Sequence, residues 1–334
     1  MSVLSDAAIR RLQEAADAPD VSGTKYVALD RIAQGGMGTV YRVRDRELGR
    51  DVALKVIRLP EASPDIAARM LREARTLARL EHPGIVPVHD VGRLSDGRVF
   101  YAMKLVRGAP LDRLPTSTLP DRLRIVERIC EAVAFAHAHG VIHRDLKPQN
   151  VMVGPFGEVL VMDWGVAKLV GDVSSLGSLE GGGEVADLVV EAGAPTTGHG
   201  VVLGTPGYMA PEQAAGDPAL VDTRADVYAL GAILRDLSHG AIADPGPKSR
   251  RATPARPLEA IIQRAMAAEP RERYQDVMAL ARDVAAFRAG EPVSAYRENL
   301  FERARRFTVR YSTPILLVLA YLVMRITLLA VRGR

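Results

Sequence analysis

The sequence has one cysteine and little excess charge, and each scarcity excludes a class of protein. The single cysteine, Cys130, excludes an intramolecular disulfide and a metal cluster held by several thiolates, which suits a reducing cytosol. The 44 basic and 40 acidic residues leave a formal charge of only +4, too balanced to indicate a nucleic-acid partner. Because no apolar run follows the N-terminus, we expect no secretory signal there.

The apolar content is nevertheless sufficient for a folded body with a substantial core. The chain has 334 residues, of which 48% are hydrophobic, and this length allows one two-lobed domain with additional segments. Residues 1–25 contain a short amphipathic pattern, with Leu4, Ile9 and Leu12, followed by a linker. We predict that this stretch is an N-terminal tail without a chemical role.

The stretch around which the chain is organised is His143-Arg144-Asp145-Leu146-Lys147-Pro148-Gln149-Asn150, and Asp163-Trp164-Gly165 begins thirteen positions after it. Two acidic side chains, a basic one and an amide on a tight loop and a strand end match the needs of phosphoryl transfer. That reaction depends on positioning and on neutralising spread negative charge rather than on covalent work by the protein. An isolated His-Arg-Asp would be a surface turn, but the longer pattern indicates a catalytic loop.

In this interpretation each polar residue has a separate task. Asp145 accepts the proton of the substrate hydroxyl, and Lys147 lies near the transferred phosphoryl group. Asn150 and Asp163 hold Mg²⁺, with Mn²⁺ as the alternative metal. The five-residue spacing from Asp145 to Asn150 lets one compact loop present both side chains to one cavity.

This segment resembles the catalytic loop of the bacterial eukaryotic-like (Hanks-type) Ser/Thr protein kinases, and the resemblance extends over roughly residues 26–290. It implies an α+β, bilobal protein-kinase-like fold. The small lobe, 26–106, would hold an antiparallel β-sheet and one main helix, and the large lobe, 107–290, would be mostly helical. The resemblance also implies ATP as cofactor, protein substrates with Ser or Thr acceptors, and an activation segment over 163–212.

A glycine-rich hairpin tip precedes the strand that contains Lys55. Glycine lets backbone N–H groups approach phosphates because it has no Cβ, although such a turn is a weak indicator by itself. The resemblance implies that Lys55 grips the α- and β-phosphates and pairs with Glu73, on a helix predicted from Ile66 to Leu80. One departure is Ala33, which stands where the family has its first glycine.

The resemblance also assigns the nucleotide contacts, with Met103 as gatekeeper and residues 104–106 as the hinge. The assigned residues are Ile32, Ala33, Gly35, Gly36, Gly38, Val40, Ala53, Lys55, Met103, Lys104, Val106 and Met152.

Further elements are predicted from periodicity and from the same resemblance. Strands are expected over His82–Val88 and Val99–Met103, a helix over Leu119–His139, and a hairpin ending at Met162 that delivers Asp163. Trp164 replaces the family's usual Phe and is expected to fill the same apolar column.

Three residues are expected to be structural rather than catalytic. The resemblance implies that Glu212 pairs with Arg273 and that Asp226 holds the backbone of the catalytic loop from a buried helix.

The activation segment contains an acidic insert rich in Gly and Ser over 171–200. No Lys or Arg occurs from Leu169 to Thr223, and we expect a mobile loop. A phosphothreonine at Thr196 or Thr197 would dock on Arg144 and order the loop.

A basic segment, 291–310, leads into Tyr311–Val331, in which Arg325 is the only charged residue. At 1.5 Å per residue such a helix spans roughly 31 Å, enough for the hydrocarbon core. We predict a single transmembrane helix with the preceding domain in the cytoplasm and no sensor domain across the membrane. An interfacial or dimerising helix is the alternative.

The leading prediction is therefore an active, membrane-tethered Ser/Thr protein kinase, with the oligomeric state left open and a homodimer as one route to trans-autophosphorylation. Two alternatives remain open. A pseudokinase scaffold would bind partners without catalysis, and a small-molecule kinase of related fold would lack the protein-docking segments Gly204–Tyr208 and Ala210–Glu212 that this sequence contains.

Overall fold

The structure is a computed structural model that describes residues 19–35, 38–56, 71, 74–75, 77–114, 118–164, 168–169, 207–215, 221–239, 255–299, 302–304, 316–318 and 320–325. These residues form the predicted bilobal arrangement, in which a small lobe built on an antiparallel sheet precedes a larger, mainly helical lobe.

The small lobe is a five-stranded sheet with the strand order β1-β2-β3-β5-β4. Its strands are β1 (Tyr26–Gly35), β2 (Gly38–Asp45), β3 (Arg50–Val56), β4 (Val88–Arg93) and β5 (Val99–Lys104). All neighbouring strands in it are antiparallel.

The sheet curls so that its two edge strands approach one another. Tyr26 on β1 donates its hydroxyl proton to Asp90 Oδ2 on β4 at 2.9 Å, and its ring meets Phe100 edge-on at 5.9 Å. The inner face thus encloses its own apolar cluster, which includes Val43, Leu54 and other buried side chains. The other face packs against Ala74 and points toward the cleft between the lobes.

The helix predicted over Ile66–Leu80 is confirmed at residues 71, 74–75 and 77–79, whereas Leu80, which the structure also describes, lies just past the end of the helix. Ala74 and Leu77 on it are buried.

The strand predicted over His82–Val88 is wrong, because β4 begins only at Val88. Pro83 and Pro87 lack the backbone N–H that a continuous ladder requires. The stretch instead forms a turn that joins the lobes: Ile85 bridges to Val161, and Val161 N donates to Gly84 O at 2.8 Å.

The large lobe contains five described helices and five short strands. The helices are α1 (Leu119–Ala138), α2 (Pro211–Ala214), α3 (Thr223–Ser238), α4 (Arg256–Ala265) and α5 (Val277–Arg288). The strands are β6 (Ala109–Pro110), β7 (Val141–Ile142), β8 (Val151–Val153), β9 (Val159–Val161) and β10 (Lys168–Leu169).

The long helix predicted from Leu119 is confirmed as α1, which lies at the centre of the large-lobe core. Thr118 caps its first turn by accepting a hydrogen bond from Asp121 N, and Pro120 occupies the first turn, where a missing N–H costs nothing. The buried face of α1, with Val126, Ile129 and Val133, packs into one core cluster shared with α3, α4 and α5.

The chain after α5 folds back onto the large lobe. Asp283 on α5 is buried and accepts hydrogen bonds from the Tyr274 hydroxyl at 2.7 Å and from Ser294 N and Oγ, both at 2.8 Å. Val293 is buried in the same core. The folded body therefore extends beyond Gly290.

In the part of the chain that the structure describes, no helix has both the length and the apolar character to cross a membrane. The predicted span 311–331 is described only at 316–318 and 320–325, where the residues are helical.

Candidate active site

Asp226 on α3 fixes the backbone of the predicted catalytic loop. Its Oδ1 accepts a hydrogen bond from Arg144 N at 2.9 Å, and its Oδ2 accepts one from His143 N at 2.9 Å. The same Oδ2 lies 2.7 Å from His137 Nε2. Burial alone would raise the pKa of this carboxyl, but the hydrogen bond and charge of His137, with His143, hold the pKa below its usual value. The structural role predicted for Asp226 is confirmed.

His137 is a functional support that the sequence did not reveal. It lies on α1, and its ring reaches the buried carboxylate of Asp226 across the helix interface. The two residues are 89 positions apart, so no local spacing could have indicated the pair.

Three of the predicted catalytic-loop residues converge in one network. Lys147 Nζ donates to Asp145 Oδ2 at 2.8 Å. Asn150 Nδ2 donates to the backbone oxygen of Asp145 at 2.8 Å and to its Oδ2 at 3.2 Å. The spacings of two and five residues therefore do place these side chains around one carboxylate.

Asp163 faces this network from the end of the β8 and β9 hairpin and contacts Lys55. Lys55 Nζ lies 3.1 Å from Asp163 Oδ1, although 108 positions separate the two residues. Desolvation would raise the pKa of Asp163, but the Lys55 ammonium lowers it, with smaller contributions from His143 and Lys147, and the net shift is downward. Half of the Asp163 side chain is exposed, so the carboxylate is charged and accessible.

The backbone is strained on both sides of the site. Among the described residues, Arg144 and Asp163 are the non-glycine positions with positive φ, at 67° and 60°. Such a conformation costs on the order of 1–2 kcal/mol for an L-residue and survives only where the surroundings impose it. At Arg144 the bond from its backbone N–H to the buried Asp226 holds this conformation, and at Asp163 the carboxylate contacts Lys55.

Trp164, the residue that follows Asp163, is anchored in the core of the large lobe. Its indole is 1% exposed, Nε1 donates to Val161 O at 3.3 Å, and the ring lies 4.6 Å from that of His143. The expectation that Trp164 fills an apolar column is confirmed, and the indole adds a hydrogen bond that a Phe cannot make.

Four of the residues assigned to the nucleotide lie in one apolar cluster on the cleft side of the sheet. These are Val40, Ala53, Met103 and Val106. Met152 on β8 is half-buried, and the side chain of Lys104 is exposed at the end of β5.

The glycine-rich hairpin is described in part. Ile32 and Ala33 are exposed on β1, and Gly35 pairs with Gly38 across the turn. Gly36 and Glu73 lie outside the described residues, and so does the expected pair between Glu73 and Lys55.

The donor set of the cavity fits Mg²⁺ rather than a metal held by protein alone. In the described ranges, no group of three or more His, Cys, Asp or Glu side chains could hold a metal ion. Mg²⁺ commonly takes one or two protein carboxylates together with substrate phosphates. Asp163 offers an accessible carboxylate, and Asn150 donates through its amide nitrogen, which leaves its amide oxygen for a metal.

The predicted pair of Glu212 and Arg273 is confirmed as a buried, bidentate ion pair. Arg273 Nη1 and Nη2 each contact one oxygen of Glu212 at 2.7 Å, and Arg273 is 1% exposed. From the same helix, α2, Gln213 Nε2 donates to Arg144 O at 2.9 Å, which joins this pair to the catalytic loop.

Comparison with known proteins agrees with this geometry. The protein kinase domain family matches residues 26–276. The DNA damage-responsive serine/threonine-protein kinase RqkA of Deinococcus radiodurans is 42% identical over 226 residues, which cover 65% of this chain and 30% of RqkA. Serine/threonine-protein kinase PknB of Mycobacterium leprae is 34% identical over 81% of this chain and 44% of its own length. The chain thus spans less than half of these relatives.

Among solved structures, the PknI kinase domain of Mycobacterium tuberculosis is similar, with a TM-score of 0.57 and 28% identity. The match covers 80% of this chain and 98% of that domain.

Proposed function

Because this chain belongs to the protein kinase domain family, we propose that it is an active Ser/Thr protein kinase that transfers the γ-phosphoryl group of ATP to protein hydroxyls. The observation that supports this most is the convergence of the Asp145 network and the Lys55 contact of Asp163 on one cleft. The names of the similar bacterial proteins support Ser and Thr as acceptors.

We assign the roles from the geometry. Asp145 accepts the hydroxyl proton, and Lys147, held 2.8 Å from it, neutralises charge beside the transferred group. Lys55 binds phosphate oxygens, and Asp163 and Asn150 hold the metal. When bound, Mg²⁺ neutralises charge on the β- and γ-phosphates. The strained backbone at Arg144 and Asp163 keeps both groups oriented before substrate arrives.

The test is transfer of labelled γ-phosphate to a generic protein acceptor by the wild type and by Asp145→Asn. We expect phosphoserine and phosphothreonine from the wild type and a loss of about a hundredfold or more in the variant. Equal incorporation by both proteins would contradict the proposal. Binding of ATP without any transfer by the wild type would instead support a pseudokinase.

Activation by phosphorylation is part of the same proposal. Thr196 and Thr197 lie outside the described residues, whereas Arg144, the expected docking residue, lies in the catalytic loop, where its backbone N–H donates to Asp226. Mass spectrometry after incubation with Mg-ATP should find phosphate on one of these threonines. The absence of phosphate between residues 170 and 205 would remove this part of the proposal.

We also propose that residues 311–331 anchor the chain in a membrane, with the kinase domain in the cytoplasm. In the part described, the large apolar side chains from Leu316 to Met324 are 47% to 67% exposed, so no protein core covers them. Contiguous exposed apolar surface of this kind suits lipid.

The anchoring is tested by extraction of cell membranes with alkaline carbonate. The full chain should stay in the pellet, and the double variant Leu317→Arg/Leu322→Arg should be released, because each arginine costs about 2.5–3.5 kcal/mol at the centre of a span. Release of the wild type would contradict the anchor and leave the kinase proposal intact.

A further inference from the structure

The side-chain amide of Gln213 on α2 connects two separate parts of the large lobe. Its Nε2 donates to Arg144 O at 2.9 Å, and its Oε1 accepts a hydrogen bond from Ala210 N at 3.2 Å. Ala210 is completely buried, and Arg144 lies 69 positions before Gln213 in the chain. One side chain therefore links the catalytic loop to the segment 207–210, which leads into α2.

The two partners determine which way this amide faces. A backbone N–H donates and a carbonyl oxygen accepts, so Oε1 must face Ala210 and Nε2 must face Arg144. Glutamine offers a donor and an acceptor at one end of its side chain. An ionised glutamate in its place accepts from Ala210 N but cannot donate to Arg144 O, and a leucine does neither.

The surroundings of Gln213 fix its position. The preceding residue, Glu212, forms the bidentate ion pair with the buried Arg273. Gln213 N also donates to Ala210 O at 3.0 Å, so Gln213 and Ala210 are bonded in both directions. The amide therefore reaches the catalytic loop from an element that is itself tied to the large lobe.

The bond from Gln213 acts on the peptide group that joins Arg144 to Asp145. Arg144 has a φ of 67°, and its backbone N–H donates to Asp226 at 2.9 Å. The N–H of the peptide group that Gln213 contacts belongs to Asp145, and it donates to His143 Nδ1 at 3.3 Å. Both polar atoms of this peptide group are thus bound, and its orientation determines where the Asp145 side chain begins.

We propose that Gln213 is a positioning residue for Asp145, an inference that rests on the proposed kinase activity. Through Arg144 O it holds the Asp145 carboxylate in the direction that accepts the proton of the substrate hydroxyl. Through Ala210 N it ties that direction to the segment before α2. Protein docking is assigned to Gly204–Tyr208, shortly before Ala210, so an acceptor seated there acts on the catalytic loop through Gln213.

Substitutions in the full chain in detergent test this role. Gln213→Leu removes both hydrogen bonds and should lower kcat about tenfold, with the KM for ATP unchanged. Gln263→Leu is the matched control, because Gln263 Nε2 donates at 3.2 Å to Glu259 on the surface of α4, and it should keep the wild-type kcat. An unchanged kcat in Gln213→Leu would overturn the proposal.

Gln213→Glu adds a pH signature that a purely structural residue would not give. The ionised carboxylate cannot donate to Arg144 O, whereas the protonated acid donates to it and accepts from Ala210 N. A glutamic acid titrates at about pH 4.3 in water, and partial burial beside a carbonyl oxygen raises its pKa. Relative to the wild type, kcat of Gln213→Glu should therefore rise severalfold from about pH 8 to about pH 5.5, and that of Gln213→Leu should not. A ratio independent of pH in both variants would contradict the role.

Hydrogen exchange tests the same role without catalysis. The backbone amides of Arg144 and Asp145, followed by mass spectrometry, should exchange about tenfold faster in Gln213→Leu and at the wild-type rate in Gln263→Leu. If the wild type transferred no phosphate, the proposed kinase activity would fail, and exchange alone would decide whether Gln213 holds the loop. Equal exchange in the wild type and Gln213→Leu would overturn the proposal.

Discussion

Asp226 and Asp163 are two carboxylates of one active site with opposite surroundings. Asp226 is completely buried, and both of its oxygens are occupied by His137, His143 and Arg144. Asp163 is half exposed and contacts Lys55 through one oxygen. In both, the surroundings lower the pKa against the effect of burial. They differ in how much hydrogen-bonding capacity remains for a ligand, because protein donors occupy both oxygens of Asp226, whereas Asp163 is accessible to solvent.

This comparison separates support from chemistry. A buried carboxylate whose acceptor sites are filled by protein donors can only hold structure, since no ligand can reach it. A charged carboxylate with an accessible oxygen can bind a metal. Neutralising each in turn should therefore damage different properties of the molecule.

The largest effect is expected for Asp163→Asn. Loss of the metal-binding charge should lower kcat on the order of a thousandfold, because the phosphoryl charge is no longer neutralised. The melting temperature should hardly change, since the side chain is half exposed. Calorimetry and phosphate transfer on the same preparation check this, and a large loss of stability with retained activity would reverse the assigned roles.

Asp226→Asn should act mainly on stability. An amide in this place turns one donor toward the N–H groups of the catalytic loop and leaves buried partners unsatisfied, at a cost of about 3 kcal/mol. Urea unfolding measures the free energy of unfolding, with Asp236→Asn as the control because that carboxylate is partly exposed. An unchanged free energy of unfolding would contradict a supporting role for Asp226.

Arg273→Lys should have a smaller effect. A lysine cannot reproduce the two parallel bonds to Glu212, and we expect a loss of about 2 kcal/mol in the free energy of unfolding. The exposed pair of Arg42 and Asp30 offers the matched control, since Arg42→Lys should change stability by less than about 1 kcal/mol. Equal losses at both sites would show that burial does not set the strength of these pairs.

The smallest effect concerns pH. Burial would raise the pKa of Asp283, but hydrogen bonds from Ser294, Tyr274 and Ala295 hold it below its usual value. A lowered pKa in the folded state gives stability that is present above the ordinary pKa of about 4 and is lost as the pH falls further. Asp283→Asn should therefore flatten the acid limb of the stability profile. Parallel acid limbs for the two proteins would contradict the clamp on residues 293–295.

The sequence predicted best where function lies in contiguous residues. Asp145, Lys147 and Asn150 follow one another closely, and their spacing largely determines that they meet. Lys55 and Asp163 lie far apart in the chain, and their approach was expected only because of the family resemblance. Neither the catalytic-loop spacing nor the family resemblance depends on knowing how the helices pack.

Other features could not be predicted, for physical reasons. The pairing of His137 with Asp226 and the clamp of Asp283 on Ser294 depend on how helices pack, which no local pattern encodes. The strand expected over His82–Val88 does not form because Pro83 and Pro87 have no backbone N–H to donate to a ladder, although the stretch is apolar.

Metal binding tests the central claim most directly, namely that Lys55, Asp145, Asn150 and Asp163 surround one metal nucleotide. Electron paramagnetic resonance of Mn²⁺ titrated into the chain with a non-hydrolysable ATP analogue would measure it. The wild type and Asp226→Asn, held at a temperature where both are folded, should bind the ion, and Asp163→Asn should bind it at least tenfold more weakly. Equal binding by Asp163→Asn and the wild type would contradict the claim.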